Sequence, residues 1–263
     1  MFAWLRQRRR ERLVQTRPIS ADAWRRTTER LVILDGLKED ECSRLRQLTT
    51  VFMNEKQFEL TQGLTLDENQ KVLVSVQACL PILELGLDCY NDWKTLILTP
   101  GEFLESEPEI DGYLRKDDPT PLGGEVLELG PVVLSWSDVE DSGLGRGYNV
   151  VIHEMAHKLD LANGAYDGAP VLETIDPQVW KTALSAAFAD FRRKVERLGH
   201  RAERVLRLDP YAATDPAEFF AVLSETFFER PDHLYGDYPD VYGLFKLFYR
   251  QDTLERFQKW RKK

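Results

Sequence analysis

Val150-Val151-Ile152-His153-Glu154-Met155-Ala156-His157-Lys158-Leu159-Asp160-Leu161-Ala162-Asn163-Gly164 is the stretch from which the rest of this chain is read. At about 100° per residue, a helix here puts His153, His157, Asp160 and Leu161 on one face and Val151, Ile152, Met155, Leu159 and Ala162 on the other. Asn163-Gly164 supplies the stop. The pattern predicts a buried helix with one polar stripe. Two neutral imidazoles four residues apart can bind one Zn2+, and Glu154, one step round the helix, can reach a zinc-activated water as general base. A helix whose histidines merely meet at i and i+4, with Glu154 paired to a lysine, is the plainer alternative. The chain has four histidines and spends two of them here, which favours the metal.

Composition sets limits around that helix. A length of 263 residues allows one large domain or two intimate lobes, and 43% apolar with 11% aromatic residues suits a globular chain. The net charge of −9 argues against a protein that grips phosphate backbones, so no direct nucleic-acid partner is expected. Cys42, Cys79 and Cys89 are odd in number, lack a C-x-x-C spacing and read as reduced core thiols, which fits a cytoplasmic location. The start, Met1-Phe2-Ala3-Trp4-Leu5 before the arginines of 6–12, is not built as a secretory signal. No apolar run reaches roughly 18 residues, so no membrane span is expected.

Along the chain, Ser20 and Asp67 offer helix caps, and Leu37 to Asn54 reads as a helix with Cys42, Leu45, Leu48 and Phe52 on its apolar side. Short strands are expected in Lys56 to Leu66, in Trp93 to Leu98, in Glu125 to Leu129 and in Val132 to Trp136, one of the last two being a possible sheet edge. Val72 to Leu87 reads as a helix kinked by Pro81. Glu102 to Gly124 reads as a long excursion, and Ser137 to Gly147, with three glycines, as a flexible loop. From Pro177, Trp180, Leu184, Phe188, Phe191, Val195 and Leu198 keep the spacing of an amphipathic helix.

Asp215-Pro216-Ala217-Glu218 opens one more helix, with Phe219, Phe220, Leu223 and Phe227 towards the core and Glu218, Glu225 and Glu229 along another face. Zinc needs a third protein ligand and a fourth position for water. Asp160, Glu218, Glu225 and the remaining histidines compete for that role. His200 and His233 lie in polar loops, and Asp160 is close enough along its helix to accept an imidazole N–H instead. Glu218 also completes a capping box with Asp215, and Glu225 can be read as a solvated carboxylate, so spacing alone leaves the third ligand open.

Two stretches together, Asn149 to Asp160 and Tyr211-Ala212-Ala213-Thr214-Asp215-Pro216-Ala217-Glu218 continued to Glu225, resemble the MtfA family, bacterial zinc-dependent peptidases also called Mlc titration factor A. The resemblance implies one Zn2+ per chain held by His153, His157 and Glu218, Glu154 as general base, and Tyr211 as a hydrogen-bond donor to the oxyanion of a tetrahedral intermediate, though Tyr211 can equally be a half-buried packing residue. It further implies aminopeptidase-like action on small peptides and binding to the transcriptional repressor Mlc. The fold expected is α+β: a predominantly helical zincin-like metallopeptidase with a small sheet beside the active-site helix. It would form a single domain over 1–263, with a helical lead-in (1–66), a core carrying the metal site (67–250) and a basic tail (251–263).

Overall fold

The computed structural model describes residues 2–101, 130–171 and 174–261. Contacts group them into two units, one of residues 1–31 and 37–140 and the other of 32–36 and 141–263. The expected excursion at 102–124 and the expected strand at 125–129 lie outside the described residues.

In the first unit, helices α1 (Phe2–Thr16), α2 (Ala21–Thr28), α3 (Glu39–Glu55) and α4 (Glu68–Cys79) accompany a parallel sheet of β1 (Gln57–Leu60), β2 (Thr95–Thr99) and β3 (Val132–Ser135) in that order. The caps act as expected. Ser20 accepts from the backbone of Ala23, and Asp67 and Gln70 bond each other's backbone N–H at 2.8 Å, a reciprocal capping box. That box starts α4 at Glu68, and the helix has ended at Cys79, before Pro81 rather than kinking through it. Proline lacks the N–H and crowds the preceding turn, so here it marks a stop.

The central strand β2 is an apolar run, with Leu96, Ile97 and Leu98 buried, as a strand flanked on both sides requires. Among the described residues, β1 and β3 are the sheet edges. Phe52, Tyr90 and Trp93 pack edge-on or tilted at 5.6 to 6.4 Å beside the sheet's first strand, with the Lys56 ammonium 3.6 Å above the Trp93 ring. The chain is thus mostly helical with one small sheet, the α+β arrangement expected.

The second unit is helical among its described residues. The short α5 (Trp136–Asp141) leads into it, followed by α6 (Val150–Asp160), α7 (Pro177–Leu198), α8 (Ala202–Val205), α9 (Pro216–Glu229), α10 (Pro231–Asp237), α11 (Pro239–Tyr249) and α12 (Thr253–Arg261). α12 occupies most of the stretch read as a basic tail, and it buries Thr253 and Arg256. α7 buries Trp180, Leu184 and Phe191, the stripe its spacing predicts. Trp180 stacks on Phe245 at 5.5 Å and meets Phe220 and Phe248 edge-on, so α7, α9 and α11 share an aromatic core. No helix among the described residues is long and apolar enough to cross a membrane.

One alternative falls away here and one expectation needs correction. Glu225 is not a solvated carboxylate: every residue of α9 from Ala217 to Glu229 is buried, with α6 packed against the helix. Ser137 to Gly147 is not a free loop either. Its first part is α5, and its second part is tied to α9 by Glu229, as described below.

Candidate metal centre

α6 begins where Asn149 accepts the backbone N–H of Ile152 at 3.0 Å, and it ends through the turn Leu161–Asn163 at Gly164, left-handed with φ 84°. Glycine is suited to that conformation because a Cβ would be crowded there. α9 begins at Asp215, whose carboxylate accepts the N–H groups of Ala217 and Glu218, with Pro216 at the first helical position. Only this half of the capping box forms. The carboxylate of Glu218 turns away from its own helix terminus towards α6.

There it meets the histidines. His153 Nε2 lies 3.1 Å from Glu218 Oε2 and 3.0 Å from His157 Nε2, while His157 Nε2 is 3.5 Å from the same carboxylate oxygen. One atom from each of His153, His157 and Glu218 can be chosen within 4.8 Å of the others, and among the described residues this is the His/Cys/Asp/Glu group able to hold a metal ion. Atoms bound to one tetrahedral zinc sit about 3.3 to 3.4 Å apart, given bonds of roughly 2.0 to 2.1 Å. The observed separations bracket that value, and two imidazoles with one carboxylate are a donor set zinc accepts. The residues therefore fit such an ion.

The acidic face of α9 has three tasks, one per turn or two. Glu218 reaches the histidines. Glu225 accepts from His153 Nδ1 at 2.7 Å with one oxygen and from the backbone N–H of Asn149 at 2.6 Å with the other. Its role is therefore to orient His153, fixing the ring so that Nε2 faces His157 and Glu218. Glu229 accepts from the backbone N–H groups of Gly143, Gly145 and Arg146 and from Asn149 Nδ2, at 2.7 to 3.1 Å. Buried carboxylates persist only when hydrogen-bonded in this way. Here each bond also fixes the approach to α6.

The electrostatics follow. Burial alone would lower His153, but the hydrogen bonds it donates to Glu218 and Glu225 outweigh it and raise the imidazole to about 10. Burial would raise Glu218, yet bonds to both histidines hold it well below the usual carboxylate range. Burial pushes Glu225 and Glu229 up against their hydrogen bonds. Asp160, also raised by burial, to about 6, accepts the backbone N–H of Gly168 at 2.9 Å rather than an imidazole N–H. Its other oxygen and His157 Nδ1 are both buried without a hydrogen-bond partner.

Glu154 is half-buried on α6, and its charge is felt by His153, Lys158 and Tyr211. Tyr211, 53% exposed, places its ring 6.3 Å from that of His153; burial, then the Glu218 charge, lifts its phenol to about 12. His200 and His233 are not in the cluster. Sequence reasoning missed Asn149, Glu229 and Tyr166. Asn149 carried a legible cap signal, whereas Tyr166, whose phenol oxygen is 3.3 Å from His157 Nε2, stands in a loop with no periodicity to flag it.

A family model described as glucose-regulated metallo-peptidase M90 matches residues 5–250. The chain belongs to this metallopeptidase family. Among its relatives is Mlc titration factor A of Serratia proteamaculans (strain 568), 38% identical over 229 residues that cover 86% of each chain. Those of Enterobacter sp. (strain 638) and Escherichia coli O9:H4 (strain HS) are each 36% identical, over 86% of this chain and 85% of the relative. The MtfA resemblance read from two short stretches therefore extends over most of the chain. Membership of the family implies a metal ion, and the His153, His157 and Glu218 group is where this chain could hold one.

Proposed function

We propose that this chain is a zinc-dependent peptidase, aminopeptidase-like towards small peptides, with His153, His157 and Glu218 as the metal ligands. The convergence of those three side chains beside Glu154 carries the reading. Bound there, zinc would polarise the scissile carbonyl and make water acidic enough to lose a proton near neutral pH. Glu154 accepts that proton and passes it to the leaving amine. Tyr211, whose raised pKa keeps the phenol protonated, donates to the developing oxyanion. Glu225, accepting from His153 Nδ1–H, would leave Nε2 as the ring nitrogen that faces the metal. Cys42, Cys79 and Cys89 form no disulfide, which accords with a reducing cytoplasm.

The test is zinc stoichiometry and peptide turnover in the wild type and in Glu154→Gln. The variant should keep its zinc and lose at least 10²- to 10⁴-fold in turnover, the usual worth of a general base. Stoichiometric zinc with no hydrolysis of any peptide in the wild type would sink the enzyme reading.

A second reading rests on the name of the relatives, Mlc titration factor A. In it the chain captures the repressor Mlc or a similar transcription factor, separately from catalysis. Glu154→Gln separates the two: capture that survives loss of hydrolysis makes sequestration an independent function, and capture that disappears with it ties binding to the active site.

A further inference from the structure

Tyr166 stands beside the cluster and is used by neither the sequence motif nor the proposed mechanism. Its phenol oxygen lies 3.3 Å from His157 Nε2 and 3.4 Å from Glu218 Oε1, and its ring packs on the His157 imidazole with centroids 5.0 Å apart. The first separation equals the edge of a tetrahedron drawn by bonds of about 2.0 to 2.1 Å around zinc. The phenol oxygen therefore stands where a further ligand atom would stand relative to His157 Nε2, and beside Glu218 Oε1, the carboxylate oxygen other than the Oε2 that meets both histidines.

The loop holding it is built to keep it there. The Gly168 N–H donates to Asp160 Oδ2 at 2.9 Å, the Gly168 carbonyl accepts from Trp180 Nε1 at 3.0 Å, and Asn163 Nδ2 donates to the Ala169 carbonyl at 2.6 Å. Gly168 has φ +75°, and a Cβ there would run into the Pro216 carbonyl oxygen. The loop thus presses against the first turn of α9, two residues before Glu218. Its backbone is fixed between the helix that carries His157 and the helix that carries Glu218.

We propose that Tyr166 is a fourth protein ligand, closing the metal site in the resting protein at the position otherwise open to water. This rests on the reading of His153, His157 and Glu218 as a metal centre. In forming the bond, the phenol oxygen replaces one water on the ion, the phenol O–H breaks, and its proton passes to solvent. The side chain leaves by turning about its own Cα–Cβ bond while the pinned loop stays in place, so a substrate or a water competes with Tyr166 for entry. Tyr211, on the exposed side of His153, remains the donor to the oxyanion.

The test is spectroscopic and does not depend on turnover. The full-length metal-free protein is loaded with one equivalent of Cu2+ and, separately, of Zn2+, in the wild type, Tyr166→Phe and Tyr211→Phe. Phenylalanine keeps the ring on His157, and circular dichroism checks that each variant is folded. The expected result is a visible phenolate-to-copper charge-transfer band in the wild type and in Tyr211→Phe that is lost in Tyr166→Phe. Zinc should produce the ultraviolet difference spectrum of one ionised tyrosine, lost in the same variant. Bound copper and zinc with neither signal, or signals that survive in Tyr166→Phe, overturn the proposal and leave the metal centre standing. Failure of either metal to bind overturns both readings together.

Discussion

Exchanging Glu218 and Glu225 for glutamine, one at a time, should produce opposite orders of damage with and without metal. Glu218 offers its oxygens to His153, His157 and Tyr166 and makes no reciprocal cap bond at Asp215. Structural zinc sites contribute about 10 to 16 kcal/mol through four ligands, so one ligand is worth roughly 2.5 to 4 kcal/mol, or about 70- to 900-fold in zinc affinity. A partner that only orients a ligating histidine costs about 10- to 100-fold when changed. Glu218→Gln should therefore lose more zinc affinity than Glu225→Gln. In the metal-free protein the order reverses. Glutamine at 218 can still accept from the histidines through its amide oxygen, with an expected cost of about 1 kcal/mol. At 225 both carboxylate oxygens accept, from His153 Nδ1 and from the Asn149 N–H, and the residue is only 4% exposed. Its amide nitrogen must then face a donor, leaving a buried group unsatisfied at about 1 to 3 kcal/mol. Zinc titration against a competing chelator and denaturant unfolding of the metal-free proteins measure the two orders. Wild-type zinc affinity in Glu218→Gln, or a larger loss in Glu225→Gln, would show that the third ligand sits elsewhere on α9.

The metal-free protein should be most stable below neutrality. His153 is raised to about 10 from 6.5, because the hydrogen bonds it donates to Glu218 and Glu225 outweigh the lowering by burial, so its contribution is complete below pH 6.5 and fades as pH climbs to 10. Glu218 is lowered from 4.5, so its contribution is present above that pH and fades in acid. Zinc needs the neutral imidazole, so the rise in melting temperature on adding zinc should grow between pH 6.5 and 10. The comparison with His153→Gln isolates these effects, and an unchanged wild-type-minus-variant difference across that range counts against them. Gly168→Ala and Gly63→Ala share φ values of +75° and +76°, but only the former meets the Pro216 backbone. Strain alone is worth about 1 to 2 kcal/mol. Gly168→Ala should cost more than Gly63→Ala and weaken zinc binding, and equal losses would show that the loop is not braced against α9. Cys42, Cys79 and Cys89 form no disulfide, so reductant should leave the melting temperature unchanged. Thiol reagents should label Cys42 and Cys89 before Cys79, whose burial pushes its thiol up; equally fast labelling of Cys79 refutes that burial.

Local chemistry in the chain was legible without coordinates. His153 and His157 at i and i+4, the caps Ser20, Asp67 and Asp215, the terminator Gly164 and the Trp180 to Leu198 stripe all act within a few residues of themselves, so sequence spacing determines what they do. The identity of the third member of the cluster was different in kind. Glu218, Glu225 and Glu229 occupy one face of one helix and look alike in sequence, and only the packing of α9 against α6 gives each a separate partner. The same packing buries carboxylates that the pattern allowed to be wet, and it turns a glycine-rich connector into a loop clamped by Glu229. Tyr166 shows the limit most clearly. It reaches the cluster because Asp160 and Trp180 pin a nonperiodic loop against α9, contacts that join different elements of the chain and have no signature along it.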